Sequence, residues 1–303
     1  MYDTIIIGGG PAALAASIYA ARQKINFVVI AKEIGGQIIL SADFENYLGF
    51  WGITGLELVS KFEEHIKRNN VNVIQEEVVS ISKKKDSFLV KTGSKEHEAK
   101  SVLIATGRSP RKLNVKGESE FLGKGVVYCA TCDAPLFASK QVVIVGGGNS
   151  ALDSAILLDK YCTKITIVNI TPTLTGERHM IEQVQKNPKI DFLNGSRIVE
   201  ILGDKFVNAV RVDVNGSQKI IKTQGVFIEI GSVPCVSFDN LTKKNKYNEI
   251  IVSEDEIYSN KTSVEGIFAA GDVTSIPEKQ AIVSAGEGAK AILSIFKYLG
   301  TKK

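Results

Sequence analysis

Asp3-Thr4-Ile5-Ile6-Ile7-Gly8-Gly9-Gly10-Pro11-Ala12-Ala13 opens the chain. A short apolar run leads into glycines, then into the Ala-rich stretch from Pro11 to Gln23, and a second apolar run covers Asn26 to Ile30. That order predicts a buried parallel strand, a tight turn, a helix and a second strand, which together form a βαβ unit. Glycines at this turn let the backbone approach a pyrophosphate closely. The phosphates then meet free N–H groups and the positive end of the helix dipole. Gly8, Gly10, Pro11 and Ala12 are therefore candidate dinucleotide-binding residues. Glu33, just past the second strand, is the candidate acidic partner of a ribose, against the plainer reading of a surface charge.

The pattern returns. Gln141 to Val145 is apolar, Gly146-Gly147-Gly148-Asn149-Ser150-Ala151 repeats the turn, a helix is expected to about Tyr161, and Lys164 to Val168 reads as a strand. Gly146, Gly148, Asn149 and Ser150 are the second set of candidates, and Asn169 falls at the ribose-reading position. Ile170-Thr171-Pro172-Thr173-Leu174 contains no Arg or Lys for a 2′-phosphate, so NADH is favoured over NADPH. Arg178 and His179 lie further on, as either a solvated helix start or a distant phosphate reader.

Each glycine turn is followed by a β-rich tail. After the first, Gly55 to Asn69 has helical amphipathic spacing. Val71 to Val79, Phe88 to Thr92 and the segment near Glu98 read as a small antiparallel sheet. After the second, Asp191 to Asn194, Glu200 to Val214 and Ile220 to Ile230 take the same part. Val102 to Gly107 is echoed by Gly225 to Gly231, an internal repeat with a period of roughly 125–140 residues. Gly266 to Asp272 is again strand and turn, and a helix is expected from about Gln280 to Leu299. These two elements are left over after the second module and are expected to complete the first. The expected division is 1–112 with 240–303, and 113–239 inserted between them.

Composition sets outer bounds. The chain has 303 residues, 44% hydrophobic and 23% charged, with a net charge of +4, ordinary for a soluble globular protein of about two domains. Lys83-Lys84-Lys85 and Lys243-Lys244-Asn245-Lys246 carry no interleaved aromatic residues, which argues for solvated loops over nucleic acid. The apolar stretch from Thr4 to Ala21 is broken by glycines and a proline and has no basic flank, so it is not read as a signal or membrane segment.

Between the two glycine turns lies Cys129-Ala130-Thr131-Cys132-Asp133. A zinc site needs about four ligands, and the chain offers only His65, His97 and His179 beside four cysteines, none in a ligand array, so no metal site is read. Two structural thiols would not explain the spacing. A redox dithiol would, because CxxC closes a small ring with both sulfurs in reach. Asp133 is then a candidate acid/base for the leaving thiolate, or else a turn or cap residue. Cys162 and Cys235 are read as unreactive. A single CxxC with two isolated cysteines is no disulfide framework and suggests a reducing cytoplasm.

With these motifs, the chain resembles the low-molecular-weight thioredoxin reductase family over essentially its whole length. Further shared motifs are Gly35-Gly36-Gln37, Glu45-Asn46-Tyr47-Leu48-Gly49-Phe50, Ala105-Thr106-Gly107 and Ala270-Gly271-Asp272. Cys132-Asp133-Ala134-Pro135-Leu136-Phe137, Lys279-Gln280-Ala281 and Gly286-Glu287-Gly288-Ala289-Lys290-Ala291 look closest to the flavoprotein subunit of alkyl hydroperoxide reductase. That branch usually carries an additional N-terminal thioredoxin-like region. The flavin fingerprint here stands at the start of the sequence, so electrons are expected to pass to a separate carrier.

The resemblance implies an α/β fold of two Rossmann-like dinucleotide-binding domains (three-layer β/β/α), the second inserted in the first. It implies FAD in the outer domain and NADH or NADPH in the inserted one. Gly36, Gln37, Asn46, Thr106, Gly107, Gly271, Asp272, Lys279, Gln280 and Ala281 join the cofactor-binding candidates. Asp272 is implied to contact the ribityl chain and Gln280 to lie near the isoalloxazine. Cys132 is implied to face the flavin, while Cys129 attacks the partner disulfide. NAD(P)H would reduce FAD, FAD the Cys129–Cys132 disulfide, and the dithiol a thioredoxin-like or peroxiredoxin partner. A homodimer and a rotation of the inserted domain are also implied. The family's His-Arg-Arg run is replaced by Asn169-Ile170-Thr171, and Thr175 stands where a further Arg is usual. This departure leaves open a ferredoxin or deazaflavin donor, and a flavin-binding redox sensor with little turnover.

Overall fold

The computed structural model describes residues 1–40, 44, 46–128 and 130–301, with the backbone alone at 40, 131 and 132. In chain order the first elements are β1 (Tyr2–Ile7), α1 (Pro11–Arg22), β2 (Phe27–Ile30), α2 (Gly55–Arg68), β3 (Val73–Ile74), β4 (Val78–Lys83), β5 (Phe88–Thr92) and β6 (Glu96–Ile104). Then come β7 (Arg108–Pro110), β8 (Val126–Val127), α3 (Ala130–Asp133), β9 (Gln141–Val145), α4 (Asn149–Leu158), β10 (Lys164–Asn169), α5 (Arg178–Gln185) and β11 (Ile190–Asn194). The chain continues through β12 (Ser196–Gly203), β13 (Val207–Val214), β14 (Ser217–Lys222), β15 (Gly225–Ile228), β16 (Ser232–Pro234), β17 (Ile267–Ala269) and α6 (Ala281–Thr301).

The fold is α/β, two Rossmann-like units with the second inserted in the first. One compact unit comprises Met1–Ile39, Phe44–Ser109 and Val233–Lys303, and the body of the other is Pro110–Ser232.

In the first unit β6 serves two layers. Its C-terminal half runs parallel to β1, with Ile7 opposite Ile104, and to β17, with Ala269 opposite Ile104. Its N-terminal half runs antiparallel to β5, with Lys91 opposite Glu96. Side-chain alternation along a strand divides the core. Ile5, Ile7, Val102 and Ile104 face one buried cluster with Phe88 and Val90, whereas Ile6 and Leu103 face another with Ala13, Ala16 and Ile292 of the helices. Both faces of β1 are covered, so its three isoleucines are almost fully buried.

The second unit repeats the plan. Its parallel sheet has the order β11-β10-β9-β15-β8, and β12-β13-β14 form a separate antiparallel sheet. Val142 and Ile144 pack with Leu152, Leu158 and Phe227, while Val143 and Val145 pack with Ile198, Val210 and Val212 of the antiparallel sheet.

Three expected runs divide differently. Val71 to Val79 is two strands, because β3 joins β2 in parallel and only β4 pairs with β5 antiparallel. Glu200 to Val214 holds parts of β12 and β13, which pair antiparallel. Ile220 to Ile230 splits between sheets at Thr223, a fully buried residue whose hydroxyl lies within hydrogen-bonding distance of the carbonyls of Gln141 and Gly225. The α4 helix stops at Leu158, short of Tyr161. Hydrophobic periodicity marks apolar runs without marking where a chain leaves one sheet for another.

The α1–α6 contact depends on a missing side chain. A Cβ at Gly288 would fall 1.9 Å from the Ala12 carbonyl oxygen. Gly288→Val is expected to destabilise the protein by about 1–3 kcal/mol or more through overpacking, read as a lowered urea midpoint.

Candidate active site

Both glycine turns are shaped by close backbone approach. Gly8 has φ +126° and a Cβ there would lie 2.2 Å from the Ala105 carbonyl oxygen. Gly146 has φ +137° and its Cβ would lie 2.3 Å from the Glu229 carbonyl oxygen. Only glycine holds such a backbone without strain. Gly10 and Gly148 are the N-caps of α1 and α4, and neither helix has a side-chain cap or an acidic residue in its first turn. By contrast, α2 is closed by a full capping box between Thr54 and Glu57. Nothing stands within 4 Å of a Cβ built on Gly10. Two helix starts with open N–H groups and a positive dipole end fit a pyrophosphate.

Around the first turn the candidates converge. The Glu33 carbonyl lies against Gly9, and Gly35 donates its N–H to Gly9 at 2.8 Å. A Cβ on Gly36 would lie 3.4 Å from the Gly10 Cα, so this loop runs over the turn. Glu33 and Gln37 are exposed there. Gly271 backs onto Ala12, where a Cβ would come within 3.0 Å of the Ala12 methyl. Asp272 accepts from Ser284 Oγ at 2.9 Å, and Asn46 Nδ2 donates to Gln280 Oε1 at 3.3 Å. Ala281 opens α6 and packs on the small cluster around Ile38 and Leu58. Thr106 donates to the Cys235 carbonyl at 2.7 Å, and Gly107 turns the chain at φ +65°. Lys279 is occupied otherwise: its ammonium donates to the Thr274 carbonyl and lies 3.3 Å from Glu249, which also holds Arg108 at 2.7 Å.

At the second turn Asn169 is buried against Gly147, whose Cβ would lie 2.5 Å from the Asn169 side chain. Nδ2 lies within hydrogen-bonding distance of the carbonyls of Thr171 and Thr173 in its own loop and of Asn194 Oδ1 on β11, and Oδ1 accepts from the N–H and hydroxyl of Thr171. The residue sits where the spacing puts it, and these bonds hold the loop after β10 together. Asn149 Oδ1 accepts from the Glu177 N–H at 2.8 Å, tying the loop to the start of α4, and Ser150 is exposed beside it. Arg178 pairs with Glu182 at 2.9 Å on the surface of α5.

Cys129 and the Cys132 side chain lie outside the described residues, whereas Tyr128 before them and Ala130 between them are described. Tyr128 donates its hydroxyl to Glu118 at 2.7 Å, and Glu118, 3% exposed, also accepts the N–H groups of Leu113 and Asn114. Glu229, in the same unit, accepts from Ser154 Oγ at 2.8 Å, and burial raises its carboxyl to about 7. Sequence reading missed both carboxylates. Asp133 ends α3, and burial raises its carboxyl to about 6. Burial likewise pushes the Cys162 thiol up to about 11 and raises Cys235, consistent with inert thiols.

Two Rossmann-like units with glycine-turn helix starts, one carrying a CxxC helix, define a two-dinucleotide oxidoreductase scaffold. The chain belongs to the pyridine nucleotide-disulphide oxidoreductase family, which matches residues 2–288. It is 36% identical over 303 residues to an alkyl hydroperoxide reductase component of Staphylococcus epidermidis, covering 98% of this chain and 59% of that protein. It is 38% identical to the thioredoxin reductase of Bacillus subtilis, covering 99% and 95% of the two chains. The crystal structure of thioredoxin reductase from Streptococcus pyogenes superimposes with a TM-score of 0.80 at 36% identity over 99% of each chain.

Removing the Asn169 amide takes away the part-buried hydrogen bonds to the Thr171 and Thr173 carbonyls. Asn169→Ala is expected to cost about 1–3 kcal/mol of stability, read by denaturant titration, while the ratio of NADH to NADPH use stays unchanged. A changed ratio would return Asn169 to the ribose pocket.

Proposed function

We propose that this protein is a thioredoxin-reductase-type flavoenzyme that carries two electrons from NADH through FAD to the Cys129–Cys132 disulfide, and from there to a thioredoxin-like or peroxiredoxin disulfide. The observation that carries this reading is the CxxC helix α3. It shares a unit with an uncapped glycine-turn helix and ends in a half-buried Asp133 raised to about 6. Bound FAD and nicotinamide would supply the electron pair that breaks the S–S bond.

The chain's own residues do the rest. Gly8, Gly10, Pro11 and Ala12 start α1 for the FAD pyrophosphate, with Glu33 at the ribose, Gly36 and Gln37 above the turn, and Gly271 and Asp272 behind it. Asn46 and Gln280 hold each other at the same unit's cofactor edge. Gly146 and Gly148 start α4 for the nicotinamide dinucleotide. Cys129 takes the partner disulfide, and Asp133 gives a proton to the thiolate that leaves. Support for NADH comes from the loop after β10. It offers no Lys or Arg between Asn169 and Glu177, Asn169 is closed on itself, and the next base, Arg178, is paired with Glu182. A cytoplasmic homodimer is part of the proposal.

Anaerobic stopped-flow reduction followed by thiol counting tests this. NADH is expected to bleach the flavin faster than NADPH and to release the Cys129 and Cys132 thiols, and Cys132→Ser is expected to keep the bleaching. Bleaching without new thiols in the native chain would remove the dithiol from the path, and faster bleaching by NADPH would overturn the donor assignment.

Asp133 adds a pH dependence. Its carboxyl is protonated below about 6 and loses the proton as pH rises through that value. Proton donation to the leaving thiolate is therefore expected to weaken above this pH. In Asp133→Asn this limb disappears and disulfide exchange slows about 100-fold or more, as for loss of a general acid. An unchanged pH–rate profile in the variant would relegate Asp133 to a turn residue.

A further inference from the structure

Small residues meet where α6 packs on the start of α1. A Cβ on Gly288 would fall 1.9 Å from the Ala12 carbonyl oxygen, and one on Gly271 would lie 3.0 Å from the Ala12 methyl and 3.3 Å from Ser284 Oγ. Ser284 and Gly288 are one turn apart and so share a face of α6. The Gly271 turn is held as well. Its φ is +77°, and its carbonyl accepts from the Thr274 N–H at 3.0 Å and from Thr274 Oγ1 at 2.8 Å. Ser284 is buried, and its Oγ donates to Asp272 Oδ1 at 2.9 Å.

A serine inside a helix can satisfy its hydroxyl on a carbonyl of its own preceding turn. Ser17 of α1 does so, donating to the Leu14 carbonyl at 2.7 Å. Ser284 instead donates out of α6, to a carboxylate 12 residues earlier in the chain. A buried hydroxyl needs a partner, but not an acidic one, so helix packing alone does not account for the choice. A carboxylate accepts on both oxygens. Among the described residues, the hydrogen bond to the Asp272 side chain comes from Ser284, which takes Oδ1 and leaves Oδ2 for a ligand. We propose that Ser284 is a positioning residue for FAD, holding Asp272 by one carboxylate oxygen so that the other accepts from a hydroxyl of the ribityl chain. This rests on the FAD site proposed above for the first unit.

The physical content is preorganisation. A carboxylate free to turn about its own bonds must be ordered when a ligand arrives, and that ordering weakens binding. Ser284 makes the ordering part of the fold, because its own place is set by the close contacts at Gly271 and Gly288. The parts of the dinucleotide are thereby served by different groups. The start of α1 meets the pyrophosphate through backbone N–H groups, while Asp272 and Ser284 meet the polyol. ADP has the first part and lacks the second, so the two contributions can be measured apart.

The test is calorimetric titration of the full chain, freed of bound flavin, with FAD and separately with ADP. Ser284→Ala is expected to weaken FAD about tenfold, the order of one hydrogen bond, while ADP affinity stays within about twofold. In an Asp272→Ala background the same substitution is expected to cost nothing further, because the serine acts through the carboxylate. Equal losses for FAD and ADP would mark a packing role only and overturn the proposal. An unchanged FAD affinity overturns it too, as do effects of the two substitutions that simply add. If Ser284→Ala does not fold, Ser284→Cys nearly keeps the volume with a weaker donor. Native FAD affinity in that variant overturns the proposal. A native chain that binds ADP but no FAD would sink the flavoenzyme reading and the serine's role with it. FAD held equally well by the native chain and by Ser284→Ala sinks this inference alone.

Discussion

The structure depends on backbone passing backbone with no room for a β-carbon. Gly8 meets the Ala105 carbonyl, Gly9 meets the Glu33 carbonyl, and Gly146 meets the Glu229 carbonyl, all at separations no side chain tolerates. These contacts bring the ends of the central strands up to the start of a helix whose N–H groups have no internal partner. Each open helix start is thus a consequence of strand packing beneath it, and the parallel register of β1 on β6 and of β9 on β15 sets where it points. Gly288 extends the same principle to the α6–α1 contact.

Much of this is legible in the sequence because glycine spacing and apolar runs are local signals. The two βαβ units, the insertion and the CxxC all follow from contiguous residues. Strand ends are less legible where a run crosses from one sheet to another, as at Thr223, because the crossing is held by a buried hydroxyl whose partners only the fold reveals. Asn169 stands where the spacing puts it, but only the folded loop reveals that Thr171, Thr173 and Asn194 lie within hydrogen-bonding distance of its amide. The partner that engages the Lys279 ammonium, Glu249, is likewise distant in sequence. Glu229 does carry a signal: laying one half of the repeat over the other sets it against Ala105, a polar residue where the plan asks for a small apolar one.

Two acids of the unit that carries the dithiol differ in their partners. Glu118 fixes Tyr128, the residue before Cys129, through a buried carboxylate with three donors. A carboxylate that accepts several N–H and O–H donors is a rigid anchor, because its desolvation is met only in one geometry. Glu118 draws its donors from Leu113, Asn114 and Tyr128, whereas Glu229 accepts from Ser154 of α4.

Reactive cysteines are commonly activated by cations or helix N-termini, which lower the thiol pKa. Here Asp133, the last residue of α3, is raised to about 6 and Glu229 of the same unit to about 7, both by burial. Such groups favour a neutral surrounding at slightly acid pH and oppose a standing thiolate above it. A dithiol in this setting gains nucleophilic character when a proton leaves and loses its leaving thiolate when a proton arrives, so proton supply and electron supply must stay in step. Burial thus brings two carboxyls of this unit, Asp133 at the end of α3 and Glu229 just past β15, close to neutral pH. The acidic lining and the absence of Lys and Arg from Asn169 to Glu177 concern different parts of the same unit. Both make its chemistry depend on backbone dipoles and exchangeable protons more than on fixed positive charge.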